Sequence, residues 1–269
     1  MSEAAFEALL RRDRVLGGGA LAVLVGAAWL YLFHAASAMS DRAMPDMQTM
    51  PGMAMAMPAR DAWGWVEVGA LVVMWAVMMV ATMTPAAAPM ILIFAAIHRR
   101  RAADGRPAVP TMIFVLGYLV VWTIYSVAAG VVQTALHAAA LLSPAMTATS
   151  PLLAGGLLVA AGVFQWTPLK RACLAACRSP LSFLMSGWRE GRGGALVMGL
   201  RHGLYCLGCC WALMALLFVA GVMNLLWVAA IAVAVLVEKV VPRGDRVGRL
   251  AGVVLIAAGV LLVARVTVG

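Results

Sequence analysis

The sequence predicts an all-α protein, a polytopic transmembrane helix bundle of about seven spans with the N-terminus inside and the C-terminus outside. Three observations carry this. The 269 residues are 64% hydrophobic and 12% charged, with mean hydropathy +0.97, a balance that belongs to integral membrane proteins. The apolar residues fall in runs of about 20, the length needed to cross a hydrocarbon core. The basic residues gather at alternate ends of these runs, 17 on one side and three on the other, which is a positive-inside asymmetry. Topology therefore accounts for the formal charge of +9, and no nucleic-acid partner is called for.

The first run, 15–36, follows Arg11, Arg12 and Arg14 and precedes Ala36-Ser37-Ala38. Those flanks also suit a signal peptide, but the run exceeds the usual signal core of about 7–15 residues. Residues 1–38 are therefore read as an uncleaved membrane anchor, with the signal peptide as the alternative. The second run, 64–97, is too long for one straight span, and Pro85 and Pro89 should kink it, freeing carbonyls for Thr82 or Thr84. The remaining candidates are 109–137, 151–167, 199–220, 222–241 and 249–267. Residues 63–269 thus form a six-span membrane domain. It includes an inner interfacial helical segment at 168–198, where Thr167-Pro168 and Ser179-Pro180 each read as an N-cap followed by an N1 proline. The outer ends of spans carry Trp29, Tyr31, Trp63 and Trp65, the inner ends Trp166 and Trp188, as expected of interfacial belts.

Between anchor and domain lies 39–62, a Met-rich loop on the outer side. Seven of the nineteen residues from Met39 to Met57 are methionine. Met44, Met47, Met50 and Met53 recur every third residue, and Met53, Met55 and Met57 alternate. Pro45, Pro51 and Pro58 argue against a spanning helix or a packed strand. Methionine in such a setting uses its thioether, a soft donor that holds Cu(I) without deprotonation; the alternative is a sticky low-complexity linker.

Inside the spans, His202, Cys206, Cys209 and Cys210 stand at i, i+4, i+7 and i+8, one helical stripe. Three thiols and an imidazole on one face suit a soft metal, and thiolates also accept Zn(II). Met74, Met78, Met79 and Met83 make a second stripe with Trp75 beside it, either core filler or a thioether path leading inward from the outer loop. Cys173 and Cys177, at i and i+4 on the inner side, are free thiols or a receiving site; five cysteines make no disulfide framework. Glu67, Glu238 and Lys239 sit near interfaces, where snorkelling or local pairing suffices. His34 and His137 lie at outer span ends as copper ligands or ordinary interfacial residues. His98 joins the inner basic flank. Gln133 and Asn224 are expected to hydrogen-bond between helices, and the glycines Gly199, Gly203, Gly244, Gly248 and Gly252 to pack against partner helices. Lys170 and Lys239 are the chain's two lysines among eighteen arginines, read as coding bias.

Several stretches then look familiar: Met74-Trp75-Ala76-Val77-Met78-Met79 with Pro85 and Pro89, Phe164-Gln165-Trp166-Thr167-Pro168-Leu169-Lys170 with Cys173 and Cys177, and Gly203-Leu204-Tyr205-Cys206-Leu207-Gly208-Cys209-Cys210-Trp211 followed by Asn224 and Glu238-Lys239. Over roughly residues 64–265 the chain resembles a bacterial family described as predicted metal-binding integral membrane proteins. The resemblance implies a metal-related membrane role and names neither metal nor reaction.

Together these readings point to a protein of the bacterial inner membrane that binds and handles copper as Cu(I), by transport or by delivery to a membrane or periplasmic cuproprotein. Its partners would be the lipid bilayer and a copper chaperone or cuproenzyme. The alternatives are a thiol/quinone-linked membrane redox enzyme and a non-catalytic membrane subunit. No nucleotide-binding motif is present.

Overall fold

A computed structural model describes residues 3–48, 64–105, 109–143 and 147–268. Ten helices follow in order: α1 (Glu3–Gln48), α2 (Trp65–Ala103), α3 (Thr111–Ala138), α4 (Pro151–Phe164), α5 (Pro168–Arg178), α6 (Pro180–Ser186), α7 (Gly191–Ala215), α8 (Leu217–Ala220), α9 (Leu225–Val240) and α10 (Gly244–Val268). Among the described residues no strand forms beyond one isolated antiparallel bridge, Leu142 with Ala148. The all-α expectation holds.

Five helices are long and apolar enough to cross a membrane, or six if α4 and α5, bent by 63° at their junction, form one broken span. The expected sixth span, 222–241, shrinks to α9. Its 16 residues reach only about 24 Å, short of a hydrocarbon core of about 30 Å. α1 continues to Gln48, through Met44, Pro45 and Met47, so helical backbone replaces loop over the first part of the Met-rich segment. Met50, Met53, Met55 and Met57 lie outside the described residues, and nothing is described of the Met44 and Met47 side chains.

α2 is one helix of 39 residues with Glu67 in its first turn and Arg100 and Arg101 in its last, charges that suit its macrodipole. Pro85 and Pro89 remove two backbone donors from its interior. The threonines do not compensate as expected. Thr82 donates to the Met78 carbonyl at 2.7 Å, and the Thr84 hydroxyl is buried without a partner. The Met83 carbonyl, within the same turns, accepts from the Tyr118 hydroxyl of α3 at 2.9 Å. Nearer the start of α2, Trp75 Nε1 donates to Gln133 Oε1 at 2.6 Å, the interhelical bond expected of Gln133. Asn224 instead caps α9, accepting from the Trp227 backbone at 3.4 Å.

α3 lies along α7 with the two backbones in contact. A Cβ at Gly199 would run into the Phe114 carbonyl, and one at Gly117 into the Leu196 carbonyl; a glycine pair is what permits this approach. Gly203 packs on Val121, Gly252 on Gly162 and Gln165, and Gly244 and Gly248 on Glu238. These glycines are therefore engaged within the chain, which removes them as evidence for a partner-helix surface. Residues 168–186 form two helices as expected, and Thr167 caps α5 by accepting from the Lys170 backbone at 3.2 Å. Yet α5 does not simply rest at an interface. Its Lys170, Cys173 and Leu174 are buried against α7 and α9.

Candidate metal centre

The cysteine stripe of α7 is wholly internal: Cys206 is 0% exposed, Cys209 and Cys210 each 1%. Their spacing follows from the helix, since positions three and four apart share a face. The Cys209 and Cys210 thiols both turn back to donate to the Cys206 carbonyl, at 3.1 and 2.9 Å. This local satisfaction lets thiols sit in an apolar core without outside partners.

Four other helices bring side chains to this face. From α2, Met83 Sδ lies 3.7 Å from Cys210 Sγ. From α3, the Tyr118 hydroxyl lies 3.2 Å from Cys206 Sγ. From α9, Lys239 Nζ donates to Cys206 Sγ at 2.8 Å. From α5, the Cys177 thiol interacts with that of Cys209. α5 approaches this closely because Gly208 separates the cysteines: a Cβ there would stand 2.7 Å from Cys173 Sγ. The result is four thiols and one thioether with a single ammonium among them. Soft sulfur donors of this kind select Cu(I) over harder ions, and the lysine supplies a counter-charge for a thiolate.

His202 stands one turn before Cys206. Its ring is held by Tyr118, stacked at 5.5 Å between centroids, by Phe114 at 6.1 Å and by Phe183 at 5.8 Å. Neither ring nitrogen has a hydrogen-bond partner, although the residue is 2% exposed. Leaving a buried polar group unmatched costs about 1–3 kcal/mol, so an imidazole kept here is available to a ligand. His98 departs from expectation. Rather than joining the basic flank, it is buried between Phe94 at 4.8 Å and Trp188 at 5.2 Å, and both of its nitrogens also lack partners. Arg101 closes that box, stacking on Trp188 at 4.8 Å and pairing with Glu190.

Beside the sulfur cluster runs a second polar knot. Lys170 Nζ donates to Glu238 Oε2 at 2.7 Å and to the Gln165 side-chain carbonyl. Arg178 donates to the carbonyls of Glu238 and Val241 at 3.1 and 2.9 Å. Both lysines of the chain are therefore buried, Lys170 at 2% and Lys239 at 7%. Glu238, at 3%, is buried with them. Burial rules out the snorkelling expected for Glu238 and Lys239, whereas the local pairing expected there is met for Glu238 by Lys170; the chain's two lysines are its two internal amines.

The predicted site residues divide accordingly. Cys206, Cys209, Cys210 and Met83 come together, and His202 adjoins them. Met74, Met78 and Met79 are buried on α2 within three turns of Met83, packed in the hydrophobic core. His34 is exposed on α1 and His137 half-buried at the end of α3. Among the described residues no group of three or more His, Cys, Asp or Glu side chains is arranged to hold a metal ion. Cys209 and Cys210 are turned to their own backbone. Sequence reasoning missed Tyr118 and the Lys239 contact. Helical periodicity within one segment does not specify which residues of α3 and α9 face α7, so neither was available from spacing.

A family model described as PpoB2, copper chaperone, matches residues 72–262. The match covers all the helices that build the sulfur cluster and leaves out the Met-rich segment. It agrees with the metal-related part of the expected resemblance and names copper, without supporting the description that the resemblance carried. No curated protein and no solved structure matches the chain.

Proposed function

The chain belongs to the PpoB2 copper chaperone family, and on that premise we propose that it carries Cu(I) in the bacterial inner membrane and delivers it to a membrane or periplasmic cuproprotein. The observation that carries this reading is the meeting of Met83 with Cys210 at 3.7 Å beside the Cys206, Cys209 and Cys177 thiols. In the proposed loaded form, Cys209 and Cys210 release the Cys206 carbonyl and turn their sulfurs to the copper, with Met83 as a neutral donor and Cys206 paired to Lys239. His202, with two unmatched nitrogens, stands by as a further donor from the next turn. The topology proposed is N-terminus inside, with the Met-rich segment outside as the place where copper is first met. Met74, Met78 and Met79 lead from that side towards Met83.

Delivery is favoured over transport by the family description, and because a site enclosed among α2, α3, α5, α7 and α9 holds its cargo rather than opening a pore. The test is metal analysis of the purified full chain after Cu(I) loading and dialysis. Wild type should retain copper, and the variant carrying Cys206→Ser, Cys209→Ser and Cys210→Ser should lose it. Equal copper in both would sink the sulfur site. Copper passed to an apo-acceptor without entry into the lumen of reconstituted vesicles supports delivery; accumulation in the lumen overturns it.

A thiol/quinone redox reading has one observation in its favour, the ammonium of Lys239 at 2.8 Å from Cys206 with Cys177 close to Cys209. It requires cysteine-dependent turnover of a quinone analogue by metal-free protein.

A further inference from the structure

Between them, α4 and α10 leave a groove of about 730 Å³ lined by Val163, Trp166, Val253, Ile256, Ala257, Val260 and Leu261. A second cavity of about 390 Å³ shares Trp166 and Val253 with it and adds Arg246, Arg249 and Leu250. The two form one elongated slot, apolar along its length and basic at one end, with the Trp166 indole at the boundary.

Its dimensions and charge select an occupant. From Arg246 to Leu261 the slot follows α10 for about 22 Å at 1.5 Å per residue, and one leaflet, half of a bilayer of about 40–45 Å, has the same depth. Arg249 is partly neutralised by Asp245, with Nη2 to Oδ2 at 2.9 Å, and its guanidinium lies 6.0 Å over the Trp166 ring. Arg246 has no ion-pair partner among the described residues, so the basic end keeps one positive charge. A zwitterionic headgroup would bring its own ammonium against these guanidiniums, whereas an anionic headgroup leaves a phosphate facing them. Indole at the junction of headgroup and acyl chain is the usual place for tryptophan in a bilayer.

We propose that the α4–α10 slot is a binding site for one anionic glycerophospholipid of the inner leaflet, its phosphate at Arg246 and Arg249 and an acyl chain laid along Val253 to Leu261. The site rests on the membrane location proposed above and is independent of the copper residues. The lipid would brace α10 against α4.

The experiment reconstitutes the full chain in phosphatidylcholine vesicles carrying spin-labelled phosphatidylglycerol or, in parallel, spin-labelled phosphatidylcholine, and compares the motionally restricted fractions. Wild type should hold the anionic label about fivefold more strongly, the equivalent of about 1 kcal/mol for one basic side chain at an anionic lipid. Arg246→Gln with Arg249→Gln should equalise the two labels and leave bound copper unchanged. Arg246→Lys should keep the preference, and Ala257→Trp, which fills the groove, should reduce the restricted fraction of both labels. Equal association of the two labels in wild type, or a preference that survives the double glutamine variant, overturns the proposal. A chain that fails to float with the vesicles on a density gradient overturns the membrane location itself, which separates the two failures.

Discussion

The two lysines of this chain occupy the same buried layer and differ in what they face. Lys170 meets a carboxylate, Glu238, at 2.7 Å; Lys239, the very next residue after Glu238, meets a thiol, Cys206, at 2.8 Å. An ammonium–carboxylate pair out of water is held by charge on both sides, and removing either partner strands the other. A thiol is different, because neutral cysteine behaves as a small apolar residue and its sulfur prefers a soft metal to a hard ammonium. The first knot is therefore a fixed brace between α5 and α9, and on the proposed function the second is a contact that copper would remodel. Adjacent residues on one short helix would then serve stability and cargo separately.

Breaking the brace should produce the largest effect. Lys170→Met leaves Glu238 buried without its cation and should destabilise the fold by about 3–5 kcal/mol, read as a lowered midpoint of thermal unfolding in detergent. Replacing both partners, Lys170→Met with Glu238→Leu, should recover most of that loss, because an apolar pair of similar size is often neutral or better. Copper content per folded molecule should stay near wild type in the double variant. A fall in copper equal to that of the cysteine variants would erase the distinction between the two knots.

The complementary change, Lys239→Met, should reverse the pattern. It leaves a neutral thiol in an apolar core, so the unfolding midpoint should move little. Removal of a group that orients a metal ligand commonly weakens metal binding by about 10–100-fold, and competition with a calibrated Cu(I) chelator should show a fall in that range. Retained affinity with lost stability would make Lys239 a second brace and nothing more.

What the sequence disclosed here was local. The stripe of His202, Cys206, Cys209 and Cys210 was legible because helical period alone puts those positions on one face, and the methionine stripe of α2 for the same reason. The meeting of Met83 with Cys210, 127 residues apart, was not, since no periodicity specifies which helices are neighbours. The lysines were misread because a charged residue at the end of an apolar run looks interfacial until the packing of α5 over it is known. Cys177 is a free thiol, as read, but its approach to Cys209 depends on that same packing. Helix length also misled: 222–241 is apolar over most of its length, but Asn224 caps its start and cuts the helix to 16 residues. The glycines carried correct information about close packing with the wrong partner, since their neighbours turn out to lie within the chain.

The smallest expected effect separates the two ends of the methionine stripe. Met83 and Met78 are equally buried, at 0% and 1%, and a leucine at either place nearly conserves volume, costing under about 1.5 kcal/mol of stability. Only Met83 has its sulfur at a thiol. Met83→Leu should therefore weaken equilibrium Cu(I) binding by about tenfold, the lower end of what losing one group around a metal costs, and Met78→Leu should leave it unchanged. If Met78 lies on the inward path, its loss, like removal of residues 39–57, slows loading from the outer side without altering the final copper content. Rapid-mixing measurements with a coloured Cu(I) complex distinguish rate from affinity. Equal loss of affinity in both methionine variants would extend the site up α2. No loss in either would confine the copper to the cysteines that Lys239 faces.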